Sequence, residues 1–190
     1  MRAFIAIELP EDIRKALAQL QNRLKSCGAD VKWVEPNNIH LTLKFLGEID
    51  DAQLNRITSI LQNVSANTNS FPAFISSFGA FPKINSPRVI WIGINKGNSE
   101  VSAIAKYLEN EIKNVGIPAE DKPFSSHITI ARTRSIFNLE KLVKELKFLE
   151  SNFSLQVREF DVTKITLFKS SLTPKGPVYE ILKEATLKTI

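Results

Sequence analysis

The chain has 190 residues, 43% hydrophobic and 24% charged, with a net charge of +5 and a single cysteine. That is the balance of one folded domain or two small lobes, and it excludes a disordered chain, an intramolecular disulfide framework and a Cys-cluster zinc site. The longest apolar runs, such as Val89-Ile90-Trp91-Ile92, are too short to span a bilayer, and the mild positive charge suits an anionic ligand rather than a nucleic-acid coat.

Residues 2–9 read as a largely apolar strand. This opening is too short in apolar residues for a secretory signal, and with a single cysteine a reducing cytoplasm is the expected compartment. Pro10, Glu11 and Asp12 suit the start of a helix over 10–26, in which Ile13, Leu17, Leu20 and Leu24 recur at helical spacing and after which Gly28 is the stop. Residues 31–34 and 38–46 are strand-like, and a second helix runs from about Asp51 to Val64. Residues 72–80 and 87–94 are two strands joined by a Pro/Asn/Ser loop. A third helix covers about 99–115 with Ser99 as a cap, followed by a strand at 126–133 and a fourth helix at 138–149. Further strands are expected at 153–158, 161–169 and 178–182. The order βαββαββα, then βα and more strands, with short turns between paired strands, favours an α+β fold of mainly antiparallel sheet. None of the seven glycines makes a G-x-G-x-x-G or G-x-x-x-x-G-K phosphate loop.

The chain has two histidines, and both are followed by the same pattern: Ile39-His40-Leu41-Thr42-Leu43 and Ser126-His127-Ile128-Thr129-Ile130. With Thr at 10 of 190 residues, both carry His, apolar, Thr, apolar by chance on the order of one time in ten thousand if positions are independent. Strand residues alternate faces, so His40 and Thr42 share one face and Leu41 and Leu43 the other, and likewise for His127 and Thr129. The apolar face anchors each strand and the His/Thr face is left for a cleft. Each motif strand leads into a helix, which predicts two related halves facing across a groove. Two imidazoles can act as general base and general acid in one step, and threonine hydroxyls can hold the oxygens of a phosphoryl group. This chemistry needs no metal.

With those motifs the chain resembles the 2H phosphoesterase superfamily, and within it the RNA 2′,3′-cyclic phosphodiesterases also called 2′-5′ RNA ligases. The likeness runs from MRAFIAIELPEDIR through VKWVEPNNIHLTLKFLGEI, PRVIWIGI and FSSHITIARTR to the tail SLTPKGPVYEIL. It implies one bilobal domain over 1–190, with two pseudo-symmetric lobes and flanking helices around a central groove. The motif chemistry makes the expected enzyme metal-independent; no cofactor is expected, and the expected state is a monomer acting on RNA ends or nucleotides. The implied reaction is hydrolysis of a terminal 2′,3′-cyclic phosphate to a 2′-phosphate, with 2′-5′ joining as its reverse. Cellular ligation, or a groove that only binds an RNA end, are the alternatives.

By position the resemblance makes His40 and His127 catalytic and makes Thr42 and Thr129 the phosphate-holding pair. It favours release of the 3′-oxygen. The assignment expected for that cleavage, which the resemblance does not itself supply, is His127 activating water and His40 protonating the leaving group. The resemblance also places Phe45 and Arg132, each five residues after a motif histidine, near the nucleotide. Strict alternation disagrees and puts both on the opposite face, where Phe45 would be core, unless a bulge re-aims them. Parity instead puts Lys44 on the His40 face, as an RNA-attracting charge or a solvated lysine. Trp33 and Trp91 read as core, Tyr179 as packing, with a reach into the groove as its alternative, and Cys27 as an inert thiol.

Overall fold

The structure, a computed structural model, describes residues 1–155, 158–174 and 176–189. The elements are β1 (Arg2–Glu8), α1 (Glu11–Lys25), β2 (Val31–Trp33), a 3₁₀ turn (Pro36–Asn38), β3 (His40–Glu48), α2 (Asp51–Asn67), β4 (Phe71–Lys83) and β5 (Ser86–Ile94). They continue with α3 (Asn98–Lys113), β6 (Ile128–Thr133), α4 (Leu139–Asn152), β7 (Glu159–Val162), β8 (Lys164–Thr173) and β9 (Gly176–Thr186). This is the α+β class expected from the sequence.

Local chemistry sets the helix ends. Asp50 accepts from the Gln53 N–H at 2.7 Å while the Gln53 side chain accepts from the Asp50 N–H at 3.1 Å, a reciprocal cap that starts α2. Ser99 does not cap α3 as the sequence suggested. Gly97, with φ of 82°, takes that position, and Ser99 donates to Glu100 instead. The strand expected at 153–158 is absent at its described residues: Phe153 to Leu155 follow α4 without strand pairing, and residues 156 and 157 lie outside the described residues. The single strand expected at 161–169 divides at Thr163 into β7 and β8, and β9 extends past both ends of the expected 178–182.

The strands form one antiparallel sheet in the order β7-β4-β5-β6-β3-β1-β8-β9, with β2 pairing to β6. One face of this sheet carries the main core, where Ile5, Ile7, Leu41, Ile90, Ile92 and Ile128 are fully buried under the helices. The other face carries a small aromatic cluster of Phe4, Ala6 and Phe168, with Tyr179 against it. The two halves meet where β3 lies beside β6. Among the described residues the strand pairing there is one pair, Leu41 opposite Ile128. A buried amide ties α1 to β6 and to the residue after β2: Gln21 of α1 donates to the Val34 carbonyl at 2.7 Å and the Ile130 carbonyl at 2.9 Å.

Candidate active site

Leu41 opposite Ile128 fixes where the two motifs meet. In an antiparallel pair, extending that register by one residue sets His40 across from Thr129 and Thr42 across from His127, all on the face away from the helices. Each threonine therefore stands beside the other motif's histidine as well as its own.

Strict alternation fails just beyond the motifs, at the same place in both. Ile5 lies opposite Lys44 but the next residue, Ala6, lies opposite Thr42, so Leu43 and Lys44 both turn toward the helices. Ile90 lies opposite Ala131 and Trp91 opposite Thr129, so Ile130 and Ala131 do likewise. Each motif strand thus carries a β-bulge at the third and fourth residues after its histidine, which returns the fifth to the histidine face. Phe45, 55% exposed, and Arg132, also exposed, are brought to the groove by this device. A groove of about 290 Å³ is lined by His40, Thr42, Phe45, His127, Thr129 and Arg132 together. Trp33 and Tyr179 also line it, so neither is confined to the packing role expected of it.

Both histidines are held in the same way. The Nδ1 of His40 lies 2.7 Å from the Asn38 carbonyl, and that of His127 lies 2.8 Å from the Ser125 carbonyl. A carbonyl only accepts, so each Nδ1 carries the proton and each Nε2 is the nitrogen left for chemistry. His40 Nε2 stands 3.0 Å from the Thr42 hydroxyl. The surroundings differ. Phe4 stacks on the His40 ring at 4.8 Å and Tyr179 meets it edge-on at 5.5 Å, whereas His127 has Phe81 edge-on at 5.2 Å. Burial pushes the His40 imidazole below its usual range, against the opposing effect of the Asn38 carbonyl. Burial also raises the Tyr179 phenol, against the charges of Arg132 and Arg2. Phe4, Phe81 and Tyr179 had no signal in the motif, since they come from strands that approach it only in the fold.

Lys44 is the clear departure from the sequence reading. It is 3% exposed and lies on the helix side, neither facing the groove nor solvated. Its ammonium meets Glu109 of α3 at 2.8 Å, Glu120 at 3.7 Å and the Pro118 carbonyl at 3.2 Å. Burial works to raise the Glu109 carboxyl, but the hydrogen bond from Lys44, the Glu120 N–H and the charges of Lys44 and Lys113 together hold it below its usual range. Lys44 therefore fastens β3 to α3 and to the segment that leads to Ser125 and His127. Cys27 is half-buried, and burial raises its thiol, consistent with the inert role expected of it. Among the described residues no helix is long and apolar enough to cross a membrane, and no group of three or more His, Cys, Asp or Glu is placed to hold a metal ion.

Two imidazoles and two hydroxyls on one sheet face, flanked by a guanidinium and an exposed ring, suit a phosphate ester, and the curled antiparallel sheet with its doubled motif is the fold of a phosphoesterase. The sequence pattern of the LigT like Phosphoesterase family matches at residues 7–91 and again at 92–179, each range holding one motif histidine, and the chain belongs to that family. It is 37% identical over 185 residues to an RNA 2′,3′-cyclic phosphodiesterase of Methanocaldococcus jannaschii, covering 97% of this chain and 99% of that one. It is 34% identical to one of Thermotoga maritima, covering 97% and 94%. A crystal structure of a Thermus thermophilus protein superposes with a TM-score of 0.81 at 30% identity, over 100% of this chain and 99% of the other.

Replacing Lys44 by Met keeps the stem and removes the ammonium from two carboxylates. The expected cost is about 1–3 kcal/mol in urea unfolding, the usual range for leaving part-buried polar partners unmatched. Turnover should fall with it, because the segment carrying His127 loses its tie to β3. Unchanged stability with a raised KM would instead make Lys44 a substrate contact.

Proposed function

We propose that the protein hydrolyses the terminal 2′,3′-cyclic phosphate of RNA or of a nucleotide to a 2′-phosphate, without a metal ion. The observation that carries this reading is the meeting of two His-x-Thr motifs on one face around Leu41 and Ile128, each histidine offering Nε2. The names of the relatives give the substrate class, since several are RNA 2′,3′-cyclic phosphodiesterases at more than 30% identity over most of the chain.

The cyclic phosphate lies between the two motifs, its non-bridging oxygens held by Thr42 and Thr129. Neutral His127 takes a proton from water through Nε2 as the water oxygen attacks phosphorus. The bond from phosphorus to the 3′-oxygen breaks, and protonated His40 delivers its Nε2 proton to that oxygen. The product is a 2′-phosphate and a free 3′-hydroxyl, and the histidines return to their starting states by proton exchange with solvent. Desolvation under Phe4 and Tyr179 makes protonated His40 a stronger acid but a less populated one, and the anionic substrate restores the proton by supplying the opposite charge. Arg132 adds positive charge at one end of the groove, and Phe45 offers a face for base stacking at the other.

Turnover of a nucleoside 2′,3′-cyclic phosphate to the 2′-phosphate should proceed at an unchanged rate in EDTA. Thr42→Ala and Thr129→Ala should each lower kcat by about 10²–10³, the usual effect of removing one donor to a developing charge. Activity lost in EDTA and restored by a divalent ion contradicts the mechanism, as do threonine variants of full activity.

The roles of the two histidines separate with a substrate whose 3′ leaving atom is sulfur, which departs without a proton. Activity of His40→Ala should recover far more on this substrate than that of His127→Ala. Equal recovery, or recovery of His127→Ala alone, reverses the assignment.

A further inference from the structure

Beyond the one pair that joins them, β3 and β6 part, and the opening on the Phe45 side leads into a second cavity. It has a volume of about 730 Å³, within the ordinary range for a small-ligand site. Its walls are Leu43 and Lys44 of β3, Ser102 to Glu109 of α3 and the segment Ala119–Ser125. Thr42, Phe45 and His127 line both this cavity and the groove, so the two are continuous beside the position of the phosphate.

Three features describe the occupant. The wall is largely apolar, and Phe124 presents an aromatic ring that is 37% exposed at the mouth. Lys106 and Lys122 are exposed on the rim and enter no ion pair found among the described residues. The facing carboxylates of Glu109 and Glu120 are engaged by Lys44, which leaves Asp121 as the acid on that rim not paired to it. An aromatic face with two free ammonium groups matches a base and a phosphodiester.

We infer that this cavity is a second nucleotide site, taking the nucleotide next to the terminal one in a single RNA strand. The inference rests on the cyclic phosphodiesterase reading and extends it: the preferred substrate is an oligonucleotide end rather than a mononucleotide. The terminal nucleotide fills the groove, the strand passes Phe45, and its neighbour stacks on Phe124 with the linking phosphate near Lys106 and Lys122.

The test is a binding titration with two product-like probes, adenosine 2′-phosphate and the dinucleotide ApA carrying a terminal 2′-phosphate. The intact protein should bind the dinucleotide about tenfold more tightly, as one added stacked base and one phosphate contact predict. Phe124→Ala, and Lys106→Ala combined with Lys122→Ala, should each remove most of that preference while leaving affinity for adenosine 2′-phosphate unchanged. Equal affinity for the two probes overturns the inference, as does a preference that survives both variants. So does a cavity that accepts free adenosine added beside adenosine 2′-phosphate but gives the dinucleotide no advantage, since it would then hold a separate acceptor. Turnover of the cyclic phosphate is a separate readout, so the cyclic phosphodiesterase reading can fail or stand independently of this result.

Discussion

The meeting of β3 and β6 at Leu41 and Ile128 is the constraint on which the site depends. A longer ladder would close the sheet across the position where a phosphate must enter, and no contact at all would leave the two motifs unrelated in space. One pair fixes the register and lets the strands part on either side. The apolar residues of the motifs do the anchoring: Leu41, Ile128 and Ile130 are each buried to 1% exposure or less. Register in a strand is set where one face is buried, and a slip of one residue would send both histidines into the core. Gln21 ties α1 to the second motif strand, its amide donating to the Ile130 carbonyl at the bulge, which also accepts from the Val34 N–H.

The paired bulges are the second structural device. They convert a repeat that alternation limits to His and Thr into a three-residue set on one face, His, Thr and the fifth residue. The first half places an aromatic ring there and the second a guanidinium. The halves are alike in how they hold the imidazole proton on Nδ1 and unlike in what surrounds the ring. That asymmetry puts His40 under two aromatic rings and His127 against one, and burial lowers the proton affinity of the His40 imidazole. The bulge also explains Lys44: the turn that frees Phe45 sends the lysine inward, and its burial is tolerable because Glu109, Glu120 and the Pro118 carbonyl receive it.

Much of this was legible in the sequence because it rests on local periodicity. Helical spacing of Ile13, Leu17, Leu20 and Leu24 marked α1, and alternation around the histidines gave the shared face of His40 with Thr42 and of His127 with Thr129. The bulges were not legible, since Leu43-Lys44 and Ile130-Ala131 share no residue type that marks a break in alternation. Lys44 was misplaced for the same reason, and its partners lie in a distant helix and loop. Phe4, Phe81 and Tyr179 reach the histidines from strands whose pairing is a property of the whole sheet. The length of β9 was missed because β9 lies at the sheet edge, where exposed residues dilute the alternating pattern, and the division of β7 from β8 at Thr163 was missed because it comes from pairing, β7 with β4 at one end of the sheet and β8 with β1 and β9 at the other.

The central claim is that the two motifs act as one catalytic unit across the β3–β6 junction. A kinetic cycle of His40→Ala, His127→Ala and the double variant, measured on a nucleoside 2′,3′-cyclic phosphate with folding checked by circular dichroism, tests it most directly. Groups that act in one concerted step are not additive, so the account predicts a double variant scarcely slower than either single one. A double variant whose loss is the product of the two single losses would contradict it, because the histidines would then contribute independently.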